Sequence, residues 1–153
     1  MEDAELFGGI KTYLELGDDP NSNLLNALSH IKKYVGDGAW VGFYIFSPAR
    51  NYLYLGPFQG TPACVRINPE HGVVGACFSK KEDIYVPDVR EFPGYIACDE
   101  AARSEACYYF EKDGIGLVFD IDSVELDGLS DKFDSLRKAG EMLFGFIPAS
   151  RLP

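Results

Sequence analysis

The sequence predicts an α+β fold: a two-layer sandwich with a mostly antiparallel central sheet and the N- and C-terminal helices packed on one side of it. Three observations point there. Leu24, Leu25, Leu28, Ile31, Tyr34 and Val35 form a helical stripe near the N-terminus. Aromatic and β-branched runs joined by turn signals fill the middle of the chain. A second helical pattern closes it.

The elements follow in order. Residues 4–16 place Leu6, Phe7, Ile10, Tyr13 and Leu14 at helical spacing, interrupted by Gly8-Gly9. The turn signal GDDPNSN offers Asn21 or Ser22 as N-cap of the second helix, which GDG at 36–38 stops. WVGFYIF (40–46) reads as a strand, SPARN as a loop and YLYLGPF as the returning strand. PACVRI reads as a short strand, and PEHGVVGACFSKKED as a short helix opening after Gly72. IYVPDV is edge-like, limited by Pro87. Residues 90–103 show no clear period. EACYYFE and GIGLVFDID read as strands joined by the hairpin turn KDG. LSDKFDSLRKAGEMLFGF reads as the last helix, with Ser130 at its N-cap and Phe133, Leu136, Met142 and Leu143 on its apolar side. No repeat or linker divides the chain, so residues 1–153 are expected to form a single domain.

A hydrophobic fraction of 46% supplies a packed core. The net charge of −10 repels phosphate backbones, so nucleic acid is not an expected partner. Lys32-Lys33 and Lys80-Lys81 read as solvated surface. The opening MEDAELFGGI is acidic and lacks a signal-peptide core, and no run approaches the roughly 18 apolar residues of a membrane span. The expected location is the cytoplasm, with no membrane partner. The oligomeric state is left open, a homodimer included.

Four cysteines need an account: Cys64, Cys77, Cys98 and Cys107. There is no C-x-x-C, and His30 and His71 stand far apart, so no metal site is expected. A core this ample does not need disulfide staples, which leaves inert buried thiols or reactive ones. Cys77 and Cys107 read as core. Cys98 is either a buried inert thiol or a reactive one, because ACDEAAR sets its sulfur where a helix would begin, with Asp99 as cap. A helix N-terminus stabilises a thiolate.

Asp120 and Asp122 share one strand face, since side chains alternate with period two. That face is either the wet side of a half-buried strand or the wall of a carboxylate-lined pocket; aspartate is disfavoured in strands. With Glu105 on a neighbouring strand, three carboxylates would share one cavity, and one pKa should rise. The protonated group can then donate to a substrate oxygen while the others hold an ammonium group. Trp40 and Tyr44, four residues apart, and Phe58 are either core packing or the wall of an apolar slot for a small group such as a methyl.

At these same places the chain resembles the free methionine-(R)-sulfoxide reductases, single GAF-domain enzymes. The shared stretches are WVGFY, LGPFQGTPACVRI, GVVG, GYIACDEAARSE and LVFDIDS, spread over residues 40–123. The resemblance implies a GAF-like fold and thiol-dependent reduction of free methionine (R)-sulfoxide, not of protein-bound methionine. It implies that Cys98, in IACD, is the catalytic cysteine and that Cys64, in ACVRI, forms the disulfide with it. Glu105, Asp120 and Asp122 match the acidic residues that contact substrate, and Trp40 and Tyr44 the aromatic walls near its methyl group. No bound cofactor is implied; a thioredoxin-like dithiol protein, recharged by NADPH through thioredoxin reductase, is the expected external reductant.

The chain departs from the family pattern in three ways. Family members commonly carry a third cysteine in the glycine motif, GVCG, where Val74 stands here. Cys77, three residues on, is a candidate auxiliary thiol. Tyr108-Tyr109 replaces a frequent proline, and the following hairpin is one residue short. Two other functional classes remain: a non-catalytic GAF-type sensor of small ligands, and a paralogue that binds methionine sulfoxide without efficient recycling. The Cys64 and Cys98 pair beside an acidic cluster favours the enzyme.

Overall fold

The computed structural model describes residues 1–147, so residues 148–153 of the expected domain lie outside the described residues. Two helices open the chain, α1 (Asp3–Leu14) and α2 (Pro20–Val35). Strands β1 (Trp40–Ser47), β2 (Tyr52–Gln59) and β3 (Arg66–Ile67) follow, then α3 (Gly72–Lys80), β4 (Ile84–Val86), β5 (Ser104–Lys112), β6 (Ile115–Ser123) and α4 (Phe133–Leu143). The six strands form one sheet in the order β3-β2-β1-β6-β5-β4, with every pairing antiparallel.

Alternation along three central strands decides which face is which. Val41, Phe43 and Ile45 of β1, Ala106, Tyr108 and Phe110 of β5, and Leu117, Phe119 and Ile121 of β6 face one way. Against them lie Leu6, Ile10 and Leu14 of α1, Leu24, Leu28 and Ile31 of α2, and Leu136 and Leu143 of α4. Phe43 and Phe119 stack across the sheet at 4.7 Å between ring centroids. Each such fully buried side chain stabilises the fold by about 1.5–3 kcal/mol. The terminal helices therefore cover one side, as the apolar stripes require. The opposite side is covered only by α3 and by loops, and the pocket lies there.

Several local expectations are corrected. Gly8-Gly9 does not interrupt α1; the packing of Leu6, Ile10 and Leu14 carries the helix through, and the missing Gly9 side chain lets the His30 ring lie against it. Asp19, not Asn21 or Ser22, caps α2: its carboxylate accepts from the Ser22 amide at 3.1 Å, and Pro20 takes the first position, where no amide is needed. Ser130 does not cap α4, which starts later, at Phe133, because the Ser130 hydroxyl is turned back to the Asp127 carbonyl. PACVRI is mostly loop, with only Arg66 and Ile67 paired to β2. Pro57 is tolerated within β2 because the β1–β2 register shifts opposite it.

The edge strand β4 ends at Pro87 as expected, and the stretch without a period, after a 3-10 turn at Val89–Glu91, is loop up to β5. Among the described residues no helix is long and apolar enough to cross a membrane.

Candidate active site

On the open face, the strand register assembles a grid. Trp40, Asp122 and Glu105 sit opposite one another across β1, β6 and β5, and Gly42, Asp120 and Cys107 form the next row. Because the row spacing is one pleat period, all these side chains face the same way. The result is a pocket of about 450 Å³, counting the space at its mouth. Its floor is Glu105, Asp120, Asp122, Trp40 and Tyr44; Val73, Val74 and Ile67 line it from α3 and β3, and Tyr95, Ile96, Cys98 and Asp99 close over it from the loop before β5.

The three carboxylates that sequence reasoning placed in one cavity are together, and Glu105 and Asp120 are each 5% exposed. Burial pushes the Glu105 carboxyl well up, and the charges of Asp120 and Asp122 push it further. Asp122 is raised well above the usual carboxylate range by burial and by Asp120, and its Oδ1 is buried without a hydrogen-bond partner. Asp120 is raised by burial but held back by hydrogen bonds from Glu105 and Cys107. Asp120 is thus the easiest of the three to ionise, and Glu105 and Asp122 are the readier to keep a proton.

Trp40 and Tyr44 are 2% and 1% exposed and stack with centroids 6.0 Å apart; Phe58 stacks on Trp40 from outside the pocket at 5.2 Å. Their polar tips do a second job. The Trp40 Nε1–H donates to the Thr61 carbonyl at 3.0 Å and the Tyr44 hydroxyl donates to the Cys64 carbonyl at 2.9 Å. These bonds fix the loop that carries Cys64. The Thr61 hydroxyl also donates to Asp99, next to Cys98, so the two cysteine loops meet across the mouth.

Cys64 and Cys98 are joined there by a disulfide, with Cα atoms 5.3 Å apart. Both are half-buried, and Cys98 lines the pocket. The helix expected at Cys98 is absent. Asp99 instead caps a tight turn, accepting from the Ala101 amide at 2.9 Å, so Cys98 does not stand at a helix N-terminus. Cys77 is free, fully buried in α3 among apolar residues and away from the pocket lining; burial pushes its thiol strongly up.

Two features escaped sequence reasoning. Tyr95 and Ile96 line the pocket from a stretch with no periodicity to interpret. Cys107, expected as plain core, is indeed fully buried, but its thiol donates to Asp120 at 3.3 Å and lies 3.7 Å from Glu105. Its signal was available: it stands two residues after Glu105, on the same strand face. Glu105, Cys107 and Asp120 each place one potential ligand atom within 4.8 Å of the others, and burial raises both the Cys107 thiol and the Glu105 carboxyl.

An antiparallel sheet with helices on one side and a small-molecule pocket under loops on the other defines a GAF domain. A solved GAF-domain structure matches with a TM-score of 0.80 and 34% identity, covering 97% of this chain and 90% of that one. The chain belongs to the free methionine-R-sulfoxide reductase family, a family of oxidoreductases. It is similar to free methionine-R-sulfoxide reductase from Neisseria meningitidis, solved in complex with its substrate, with a TM-score of 0.82, 31% identity and coverage of 97% and 92%. It is also 37% identical to free methionine-R-sulfoxide reductase of Escherichia coli over 72% of this chain and 67% of that protein. The aligned stretches span 62–69% of the length of the curated relatives. No family model matches the chain.

Proposed function

We propose that this chain reduces the R-sulfoxide of free methionine, with Cys98 as nucleophile and Cys64 as the thiol that resolves it. The observation that carries this reading is the Cys64–Cys98 disulfide at the rim of a pocket floored by three carboxylates, Glu105, Asp120 and Asp122.

In the reduced state the Cys98 thiolate attacks the sulfoxide sulfur. A proton from Glu105 or Asp122 to the sulfoxide oxygen makes that sulfur more electrophilic. Oxygen passes to Cys98, methionine leaves with two fewer oxidising equivalents, and Cys98 is left as a sulfenic acid. The Cys64 thiol then attacks the Cys98 sulfur and expels the oxygen as water, which forms the disulfide. A dithiol protein of the thioredoxin type takes up the oxidising equivalents by exchange and returns both thiols. Val74 removes one alternative thiol from the glycine motif, and Cys77 is too buried to serve readily, so the exchange runs through the 64–98 bridge alone.

Substrate choice follows from charge. The ionised Asp120 needs a cation, and the ammonium group of a free amino acid supplies it. In a peptide that nitrogen is an uncharged amide, and leaving a buried charge unpaired costs about 3–5 kcal/mol. Trp40 and Tyr44 offer a flat apolar wall to the S-methyl group.

The test is NADPH consumption in the presence of thioredoxin and its reductase. Free R-sulfoxide should be turned over, while free S-sulfoxide, a methionine-sulfoxide peptide and the Cys98→Ser variant should all stay at background. Robust turnover of the peptide, or activity surviving Cys98→Ser, would refute the assignment.

A further inference from the structure

We propose that Cys107, buried beneath the substrate pocket, is a positioning residue that donates its S–H to Asp120 and so decides which of the three carboxylates carries the negative charge. This rests on the reaction proposed above and adds a residue to it that never touches the reacting atoms.

The placement is set by the sheet. Cys107 of β5 stands opposite Asp120 of β6 in register, and the two meet at 3.3 Å from sulfur to Oδ1, with the thiol fully buried. Glu105, on the same face of β5, is farther away at 3.7 Å. A thiol donates a hydrogen bond but accepts one only weakly. A donor-only neighbour cannot serve a protonated carboxyl's O–H, so it favours whichever carboxylate is ionised beside it.

Titratable groups surround Cys107 on several elements, with Tyr95 of the overlying loop facing the same carboxylates. Glu105 comes from its own strand, Asp120 and Asp122 from β6, and Cys77 from α3. Tyr44 approaches from β1, and Asp99 bears on Asp122 from the loop above. All are acidic or neutral when protonated. Burial raises all three carboxyls, repulsion between them raises Glu105 and Asp122 further, and hydrogen-bond direction adds to that difference. The Glu105 carboxyl is shared between Asp120 and Asp122, and the Cys107 thiol donates to Asp120. Glu105 can give its proton to the sulfoxide oxygen; Cys107, whose thiol burial keeps protonated, holds the Asp120 anion in place throughout. The consequence is division of labour: Asp120 as the fixed anion for the substrate ammonium, Glu105 and Asp122 as the proton-bearing groups.

The test pairs two substitutions that separate hydrogen bonding from packing. Cys107→Val fills the space but removes the donor; Cys107→Ser keeps a donor but leaves the space underfilled. The readout is the pH profile of kcat/KM for free methionine R-sulfoxide, alongside the melting temperature of each variant. Cys107→Val should lose about tenfold or more in kcat/KM. Its acid limb, where Asp120 takes up a proton and ammonium binding fails, should move up by about one pH unit. Cys107→Ser should recover most of that loss and return the limb towards its original position. A Cys107→Val enzyme with the wild-type profile overturns the proposal, and so does a Cys107→Ser enzyme displaced just as far as the valine variant.

A second arm needs neither turnover nor a folded variant. The S–H stretch of a thiol lies in an infrared window clear of other protein bands. The reduced wild-type protein should show one thiol band moved to lower frequency by bonding to a carboxylate, and that band should move back when the cluster is acidified. A set of bands all at unbonded-thiol frequency overturns the proposal. An inactive wild type with the displaced band present would strike the proposed reaction and leave this hydrogen bond standing.

Discussion

Glu105 shows what a single residue costs and supplies. It is nearly inaccessible, faces two other carboxylates and holds its proton well above the ordinary carboxylate range because of burial first and its acidic neighbours second. A carboxyl raised on folding binds its proton more tightly in the native state than in the unfolded chain. Its contribution to stability is therefore complete below the unfolded value, about 4.3, and is lost as pH climbs through the raised native value. Glu105→Gln removes that loss. The variant should be more stable than the parent at mildly alkaline pH, by on the order of 1 kcal/mol or about 2–4 °C in melting temperature for a chain of this size. The difference should shrink as pH falls towards 4, and turnover should drop about 10²–10⁴-fold. Melting curves from pH 5 to 9 check it; a variant no more stable at high pH than at low would contradict the placement of the proton. At this scale the acidic triad was legible because alternation makes Asp120 and Asp122 neighbours on one face. Cys107 was legible as core, and it is fully buried, but its aromatic surroundings hid that alternation also sets it beside Asp120.

The β5–β6 hairpin is the element on which the site stands, since it carries Glu105, Cys107, Asp120 and Asp122 in register. That register is set by a two-residue turn. Asp113 and Gly114 both take positive φ, 52° and 79°, the geometry whose twist matches antiparallel strands. Gly114→Val forces a β-branched residue into that region and should destabilise the protein by about 1–2 kcal/mol. Urea denaturation measures this, with kcat of the folded enzyme retained; an unaffected midpoint would mean the turn does not set the register. KDG announced this hairpin plainly in the sequence, and Pro87 announced the end of β4. Elsewhere the signals competed. Asp19 and Pro20 shared the α2 entry with two other good caps, and the turn before α4 carried a serine that suits a cap but bonds elsewhere. Residues 92–103 have no hydrophobic period to expose them, because they form a loop in which Tyr95 and Ile96 turn towards the pocket instead of following a strand or helix face.

Across the whole molecule the sheet separates two tasks. One face is sealed by α1, α2 and α4 and supplies stability. The other is left under α3 and two loops, where polar groups can be buried around a ligand. The 64–98 bridge links loops separated by 34 residues of sequence and drawn from opposite edges of the sheet, so the two thiols meet only in the folded chain. Fold class and the terminal-helix layer were legible from periodicity, whereas the meeting of those loops came only from the family resemblance. The most direct measurement is a thiol count. Fully reduced protein, freed of reductant and given free methionine R-sulfoxide, is denatured, titrated for thiols and mapped by mass spectrometry. Of its four thiols two should disappear, with Cys64 and Cys98 found in one bridged peptide pair. Four surviving thiols, or a bridge that includes Cys77 or Cys107, would contradict the account.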